Sequence, residues 1–336
     1  MKKIIIIVIV IMLVSIKINA SIVVMDADSG RILYEKDKDK QMLIASTTKI
    51  MTSIIALENE SLNKKITIKD EIDKMYGSMT YIKKGESFTL NDLLHGLMLR
   101  SGNDTAMSIA NNIKDYDTFI KLMNLKAYSL DMKHTQFNNP HGLDEETQNI
   151  STAYDMSLLM RYAIKNKNFI NITSTKKYKV GSYIWHNKND LLSMYKYATS
   201  GKIGYTTKSG PVFVSSATKE NKTIVITSIK ENDKFNLHKN LYIKYFNEYK
   251  RYQILDRNTF SYKIKKEKNT HYYIKNDFFM LLKPNEIKNV NIKIDIKNSL
   301  IHIYLKNELI HSERIYKIKY ETKATKLNKI LSFFKK

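Results

Sequence analysis

The chain has 336 residues, enough for one sizeable core and a smaller second unit, and its 43% hydrophobic and 10% aromatic content is that of a folded protein. It contains no cysteine, which excludes disulfides, thiolate catalysis and cysteine-ligated metals. The formal charge is +23, but the basic residues are spread along the chain without a recognisable nucleic-acid module. An anionic envelope or membrane surface suits this charge better than nucleic acid.

Lys2 and Lys3 precede an apolar run, Ile4 to Ile16, broken only by Ser15, and Ala20 supplies a small residue. This is the pattern of a signal peptide over residues 1–20. The run is short of the roughly 20 residues that a spanning helix needs. Ile22 to Met25 and Ile32 to Tyr34 are β-prone runs around Asp28-Ser29-Gly30, which predicts a hairpin. From Ile50 the pattern turns helical, with Ile50, Met51, Ile54, Ile55 and Leu57 on one broad face. Thr89 can N-cap the next helix with Asp92 three residues on, and Leu90, Leu93, Leu94, Leu97 and Met98 form its stripe. Ser101-Gly102-Asn103 interrupts, and another helix follows through Ala106, Met107, Ile109, Ala110 and Ile113.

Strands return at Val212 to Ala217 and Thr223 to Ile229, around a polar turn, and an amphipathic segment covers roughly Phe235 to Tyr249. Strands at both ends with helices between them predict an α+β domain with an antiparallel sheet over residues 21–250. Beyond it, Val290, Ile292, Ile294 and Ile296 alternate with polar residues, as do Ile301, Ile303 and Leu305. That is the period of half-buried strands and predicts a small all-β domain over 251–320. In the tail, 321–336, Leu327, Ile330, Leu331 and Phe334 fall on one helical face among Lys323, Lys326, Lys329, Lys335 and Lys336. Such a segment can lie in a membrane interface but is too short and too charged to span one.

Three short motifs carry chemistry. Ser46-Thr47-Thr48-Lys49 begins the first helix, and a spacing of three puts Ser46 and Lys49 one turn apart on one face. A serine hydroxyl needs an adjacent base, and a lysine serves if burial and a neighbouring cation lower its pKa. The helix N-terminus adds positive potential in the same direction. Ser101-Gly102-Asn103, in a tight interhelix connection, can present a hydroxyl and an amide into a cleft. Lys202-Ile203-Gly204 offers a cation for a substrate carboxylate and a glycine that lets substrate lie against a strand. Each alone has a dull equivalent: an N-cap serine with a surface lysine, a plain interhelix turn, a strand lysine. In this order and at these separations they correspond to the S-x-x-K, S-D-N and K-T-G set of class A β-lactamases and penicillin-binding proteins, with S-G-N as the middle motif here and K-I-G as the last.

The surrounding text narrows the match. VVMDADSGRILYEKDKDKQMLIASTTKIMTSIIALE, YIKKGESFTLNDLLHGLMLRSGNDTAMSIA, FNNPHGLDEETQNISTAYDMSLLM, HNKNDLL and GKIGYTTKSG resemble segments of the D-alanyl-D-alanine carboxypeptidases, the low-molecular-mass penicillin-binding proteins, from about Ile22 to Ile229. The resemblance implies a serine transpeptidase/β-lactamase-like fold. It implies removal of the terminal D-alanine from peptidoglycan stem peptides, without a metal or other cofactor, and β-lactams as covalent inhibitors. It makes Ser46 the acylated nucleophile and Lys49 its base. Ser101 and Asn103 would shuttle protons and hold the peptide backbone, and Lys202 would bind the terminal carboxylate. The backbone N–H groups of Ser46 and Tyr205 would form the oxyanion hole, with Ile203 and Gly204 lining the substrate strand. Such an enzyme would be exported and held at the outer face of the cytoplasmic membrane or in the wall, the C-terminal helix lying against that face. Ile203 stands where the family usually has threonine, which removes a donor worth on the order of 1–3 kcal/mol to a charged group. Ser200-Gly201 replaces the usual Asp-Gly.

Two other functions compete. A class A β-lactamase needs a glutamate to activate the deacylating water, and Glu145 and Asn149 have the required spacing, though inside a carboxypeptidase-like segment. A catalytically impaired wall-binding protein would keep the cleft without the reaction, and Ile203 favours it. No H-E-x-x-H occurs among the eight histidines, which removes a metalloprotease. His95 reads as packed and His141 as a loop stabiliser, while Trp185 could be core or line a groove.

Overall fold

The structure, a computed structural model, describes residues 20–263 and 270–319. The expected signal peptide, apart from Ala20, and the amphipathic tail lie outside the described residues. No helix among those described is long and apolar enough to cross a membrane.

Six buried residues form strand β1 (Ser21–Asp26), which turns back through the expected hairpin into β2 (Ile32–Lys36). The other three strands of this sheet come from far along the chain: β3 (Ala198–Thr206), β4 (Gly210–Lys219) and β5 (Lys222–Ile229). The order is β2-β1-β5-β4-β3, so β3 is an edge. β4 and β3 are antiparallel, with Val214 opposite Lys202, Phe213 opposite Ile203 and Val212 opposite Gly204. β3 was not legible as a strand because its glycines, Lys202 and hydroxyls hide the alternation.

Helix α1 (Lys49–Asn59) departs from the one-faced expectation. Every residue from Lys49 to Ala56 is buried, whereas Leu57 is only half-buried. A helix buried all round is a central one, and α1 touches α3 (Asn103–Ile113), α4 (Tyr116–Ser129), α5 (Ala153–Ala163) and α6 (Lys167–Ser174). Between α1 and α3 lies α2 (Leu90–His95), opened by the expected Thr89–Asp92 capping box. The stripe through Leu97 and Met98 is not α-helical. Gly96–Arg100 winds as a π-helix and ends at Ser101 with φ 67°, in the left-handed region. Such widened turns cluster at functional sites, and this one delivers the second motif. α7 (Lys234–Glu248) follows β5 where the amphipathic segment was expected. Its His238 and Tyr242 both bond the Ser215 hydroxyl of β4, at 2.7 and 2.8 Å, within the core.

Compact packing divides the chain into two units. The first gathers residues 20–25, Ile32–Thr218 and Ile224–Tyr242; the second gathers Asp26–Arg31, Lys219–Thr223 and the chain from Ile243. The second unit contains β6 (Lys250–Leu255), β7 (Thr270–Tyr273), β8 (Phe278–Leu282), β9 (Val290–Asp295), β10 (Leu300–Leu305), β11 (Glu308–Arg314) and β12 (Tyr316–Lys319). β6 pairs with β8 and β7 with β12, and β9-β10-β11 form a three-stranded sheet. Leu255, Phe278, Met280, Ile301 and Ile303 are central to its core. Ile301, Ile303 and Leu305 are buried as their alternation required, but Ile292 is 42% exposed. Among the described residues β9 pairs only with β10 and is an edge of its sheet. Arg31 holds Glu286 through two bonds of 3.0 and 2.6 Å and donates to the Leu281 carbonyl. Buried Asp26 accepts from the Leu281 N–H.

Candidate active site

Ser46 lies in a 3₁₀ turn, Ala45–Thr48, immediately before α1, rather than in the helix's own first turn. Ala45 carries φ 45°, a left-handed conformation that costs an alanine of order 1–3 kcal/mol. Two glycines allow the close approaches around this turn. A Cβ on Gly142, itself at φ +87°, would stand 2.0 Å from the Ala45 carbonyl oxygen. One on Gly204 would stand 2.9 Å from the Ser46 nitrogen. Gly204 is therefore required for β3 to reach the serine turn, a constraint earlier than any contact with substrate.

Lys49 is fully buried, and its Nζ meets three groups: Ser46 Oγ at 3.0 Å, Asn103 Oδ1 at 2.7 Å and the His141 carbonyl oxygen at 2.6 Å. Burial first, and then the charge of Lys202, holds its pKa well below the usual lysine range; Lys188 acts in the same sense. A neutral amine has two N–H bonds and one lone pair. The two carbonyl-type oxygens can only accept, so the lone pair falls to the Ser46 hydroxyl. Asn103 is oriented for this by donating Nδ2 to the Tyr76 carbonyl at 2.6 Å. Buried Asp104 accepts from the Thr80 and Tyr81 N–H groups, pinning the segment that carries Ser78 against α3.

A cleft of about 290 Å³ contains Ser46, Ser101, Ile203, Gly204 and Tyr205, together with Lys188 and Lys234. Lys202 is placed differently from the other predicted residues. It is 2% exposed, donates to the Ile203 carbonyl at 2.9 Å, and is not among the residues lining the cleft. Burial, and next the charge of Lys188, lowers its pKa to about 7. Lys188 reaches Ser78 Oγ at 3.2 Å, and burial lowers its pKa too. The structure thus brings the predicted site residues together around Ser46 and adds Lys188, Lys234, Ser78, Asp104 and the His141 backbone, which sequence reasoning missed. HNKNDLL contained Lys188, but nothing in its local pattern marked the lysine.

Glu145 does not occupy the place of a deacylating base. It is exposed, accepts from the Tyr76 hydroxyl, and is absent from the cleft lining. Asn149 is buried and braces the Asn138–Asn139 backbone. His95 is stacked on Tyr178 at 3.8 Å and Trp185 is 2% exposed, so both are core. Among the described residues no group of three or more His, Asp or Glu is placed to hold a metal.

The chain is similar in sequence and in structure to known D-alanyl-D-alanine carboxypeptidases. D-alanyl-D-alanine carboxypeptidase DacF of Bacillus subtilis is 32% identical over 212 residues, covering 60% of this chain and 54% of the relative. The chain therefore spans about half the length of that relative. DacB2 of Mycobacterium tuberculosis is 32% identical over 209 residues, covering 61% of this chain and 72% of the relative. The crystal structure of a D-alanyl-D-alanine carboxypeptidase from Mycobacterium tuberculosis superposes with a TM-score of 0.64 at 29% identity, covering 68% of this chain and 90% of that one. Penicillin-binding protein 5 from Haemophilus influenzae superposes with a TM-score of 0.75 over 89% of this chain and 96% of that one, and at 21% identity it shows the shared fold. The sequence profile of the D-alanyl-D-alanine carboxypeptidase family matches residues 14–232, which is more than half of the chain, and the chain belongs to that family.

Proposed function

We propose that this chain is a serine-type D-Ala-D-Ala carboxypeptidase that removes the terminal D-alanine from peptidoglycan stem peptides through an acyl-enzyme on Ser46. The observation that carries this reading is the coordination of Lys49 Nζ, which leaves a neutral amine one free lone pair, directed at Ser46 Oγ. As Ser46 attacks the carbonyl of the penultimate D-alanine, its proton passes to Lys49. The oxyanion takes backbone N–H bonds from Ser46 and Tyr205. When the C–N bond breaks, the departing amine takes a proton from Lys49, with Ser101 alongside as relay. Water then attacks the ester, Lys49 again removing the proton, and Ser46 is restored. Lys188 and Lys234 line the cleft where the terminal carboxylate is held, with Lys202 as a buried charge on the strand that forms its edge.

A penicillin would acylate the same serine and stall there. The intact Ser46–Lys49 pair argues against an impaired wall-binding role, and the position of Glu145 argues against a β-lactamase. The pattern of residues 1–20 supports export, and the apolar face and lysines of 321–336 support a place at the outer membrane surface. Incubation of the mature protein with a pentapeptide ending in D-Ala-D-Ala, followed by mass analysis, tests the activity. The expected product is the tetrapeptide plus free D-alanine, and recovery of intact pentapeptide alone would reject it.

A further inference from the structure

Helix α7 brings Lys234 to the cleft on its first residue, where the helix dipole disfavours a cation. Among the described residues no carboxylate pairs with Lys234, and its Nζ stands 4.8 Å from the centre of the Phe235 ring. The position of this cation therefore depends on how α7 itself is seated. Phe235, His238 and Tyr242, at i, i+3 and i+7, turn one face of the helix to the sheet. Phe235 meets the Phe213 ring of β4 edge-on at 5.1 Å, and His238 stacks on the same ring at 4.4 Å. His238 is fully buried in that face. Its Nδ1 bonds Ser215 Oγ of β4 at 2.7 Å, and its Nε2 bonds Ser228 Oγ of β5 at 2.9 Å. Burial, and then the charge of Lys234, lowers its pKa to about 3, so the ring is neutral, with one nitrogen donating and the other accepting. The Ser215 hydroxyl is shared with the Tyr242 hydroxyl at 2.8 Å. None of Phe213, Ser215, Ser228 and His238 lines the cleft.

We infer that His238 is a positioning residue for substrate binding: by tying α7 to two neighbouring strands it fixes where Lys234 stands in the cleft. The inference rests on the carboxypeptidase reading, in which Lys234 faces the terminal carboxylate, and extends it. Apolar packing is non-directional, so Phe235 against Phe213 alone would let the helix slide or roll over the sheet. Two hydrogen bonds from one rigid ring to β4 and β5 fix both the shift along the axis and the rotation about it. A displacement of either kind strands a buried hydroxyl. Lys234 lies four residues from His238, one turn and about 6 Å along the axis, so the seating of the ring is passed to the cation. The same ring reaches the edge strand. Phe213, on which it stacks, is opposite Ile203, which lines the cleft together with Lys234. His238 thus sets the spacing between the cation of the helix and the strand against which substrate lies.

The test uses the mature full chain, a pentapeptide ending in D-Ala-D-Ala, and a double-mutant cycle of His238→Phe and Lys234→Ala. Phenylalanine keeps the stack on Phe213 and makes neither hydrogen bond. With active sites counted by fluorescent penicillin, kcat/KM should fall about fivefold in His238→Phe and about tenfold in Lys234→Ala, in each case through KM more than kcat. The double variant should match Lys234→Ala to within about twofold, because Lys234 is the path through which His238 acts. Losses that multiply to about fiftyfold would show that His238 serves folding alone, and would overturn the inference while leaving the carboxypeptidase reading intact. An ordinary KM in His238→Phe would overturn it as well. An ordinary KM in Lys234→Ala would remove Lys234 from carboxylate binding, and the inference with it. If His238→Phe does not fold, His238→Gln, which can renew only one of the two bonds, takes its place in the same cycle with the same outcomes. Absence of D-alanine release from the unaltered protein would reject the reading on which the inference rests.

Discussion

The cleft that contains Ser46 and the cavity lined by His141 adjoin one catalytic group but carry opposite charge. Lys188 and Lys234 line the first, on whose strand β3 Lys202 is buried, while Asp70, Glu71, Asp73 and Glu146 line the second. Lys202 and Lys188 are desolvated, and the charge of Lys188 further lowers the affinity of Lys202 for a proton. The acids of the cavity are mostly at the surface and act through screened attraction. The cleft is therefore built to tune a base, while the cavity presents an acidic rim at the surface. Lys49 and Asn103 stand between them, held by the His141 and Tyr76 carbonyls from the cavity side.

Removing the group at the centre should have the largest effect. Ser46→Ala should abolish both D-alanine release and covalent labelling by penicillin, read on a gel with a fluorescent penicillin; a variant that still labels would mean another nucleophile. Lys49→Arg keeps the charge but cannot deprotonate, so acylation should fall by about 10²–10⁴-fold. An Arg variant with ordinary rates would show that the base lies elsewhere.

The charge coupling inside the cleft has a pH signature. Lys49 must be neutral to act, so kcat/KM rises with pH through its lowered pKa. Lys202 must be charged to attract the carboxylate, so activity falls as pH rises past about 7 in the free enzyme. Lys188 depresses both groups. Lys188→Ala should therefore move both limbs of the kcat/KM profile to higher pH, apart from any loss in binding. Limbs that stay in place would mean that burial alone sets these two lysines.

The smallest effect concerns Ile203, which lines the cleft opposite the position of Phe213 in β4. Ile203→Thr should restore a donor for the carboxylate and raise penicillin acylation about tenfold, the equivalent of roughly 1.4 kcal/mol. An unchanged or lower rate would indicate that Lys188 and Lys234 already satisfy the carboxylate.

The amino-acid sequence by itself determined the hairpin at Asp28-Ser29-Gly30, the Thr89–Asp92 cap, the alternation of Ile301, Ile303 and Leu305, and the three motifs in their order. The turn, the cap, the alternation and each motif taken singly depend on residues close together in the chain, so turn chemistry, periodicity and capping express them locally. Only the tertiary structure decided that α1 is buried on all sides, because four other helices cover it. Only it placed the His141 carbonyl, 92 residues along the chain, on Lys49, set Lys188 and Lys234 in the cleft, and buried Lys202. Local pattern states which residues avoid water, not which distant segment will cover them. A lysine's pKa, a backbone carbonyl's partner and a cavity's charge all depend on that second choice.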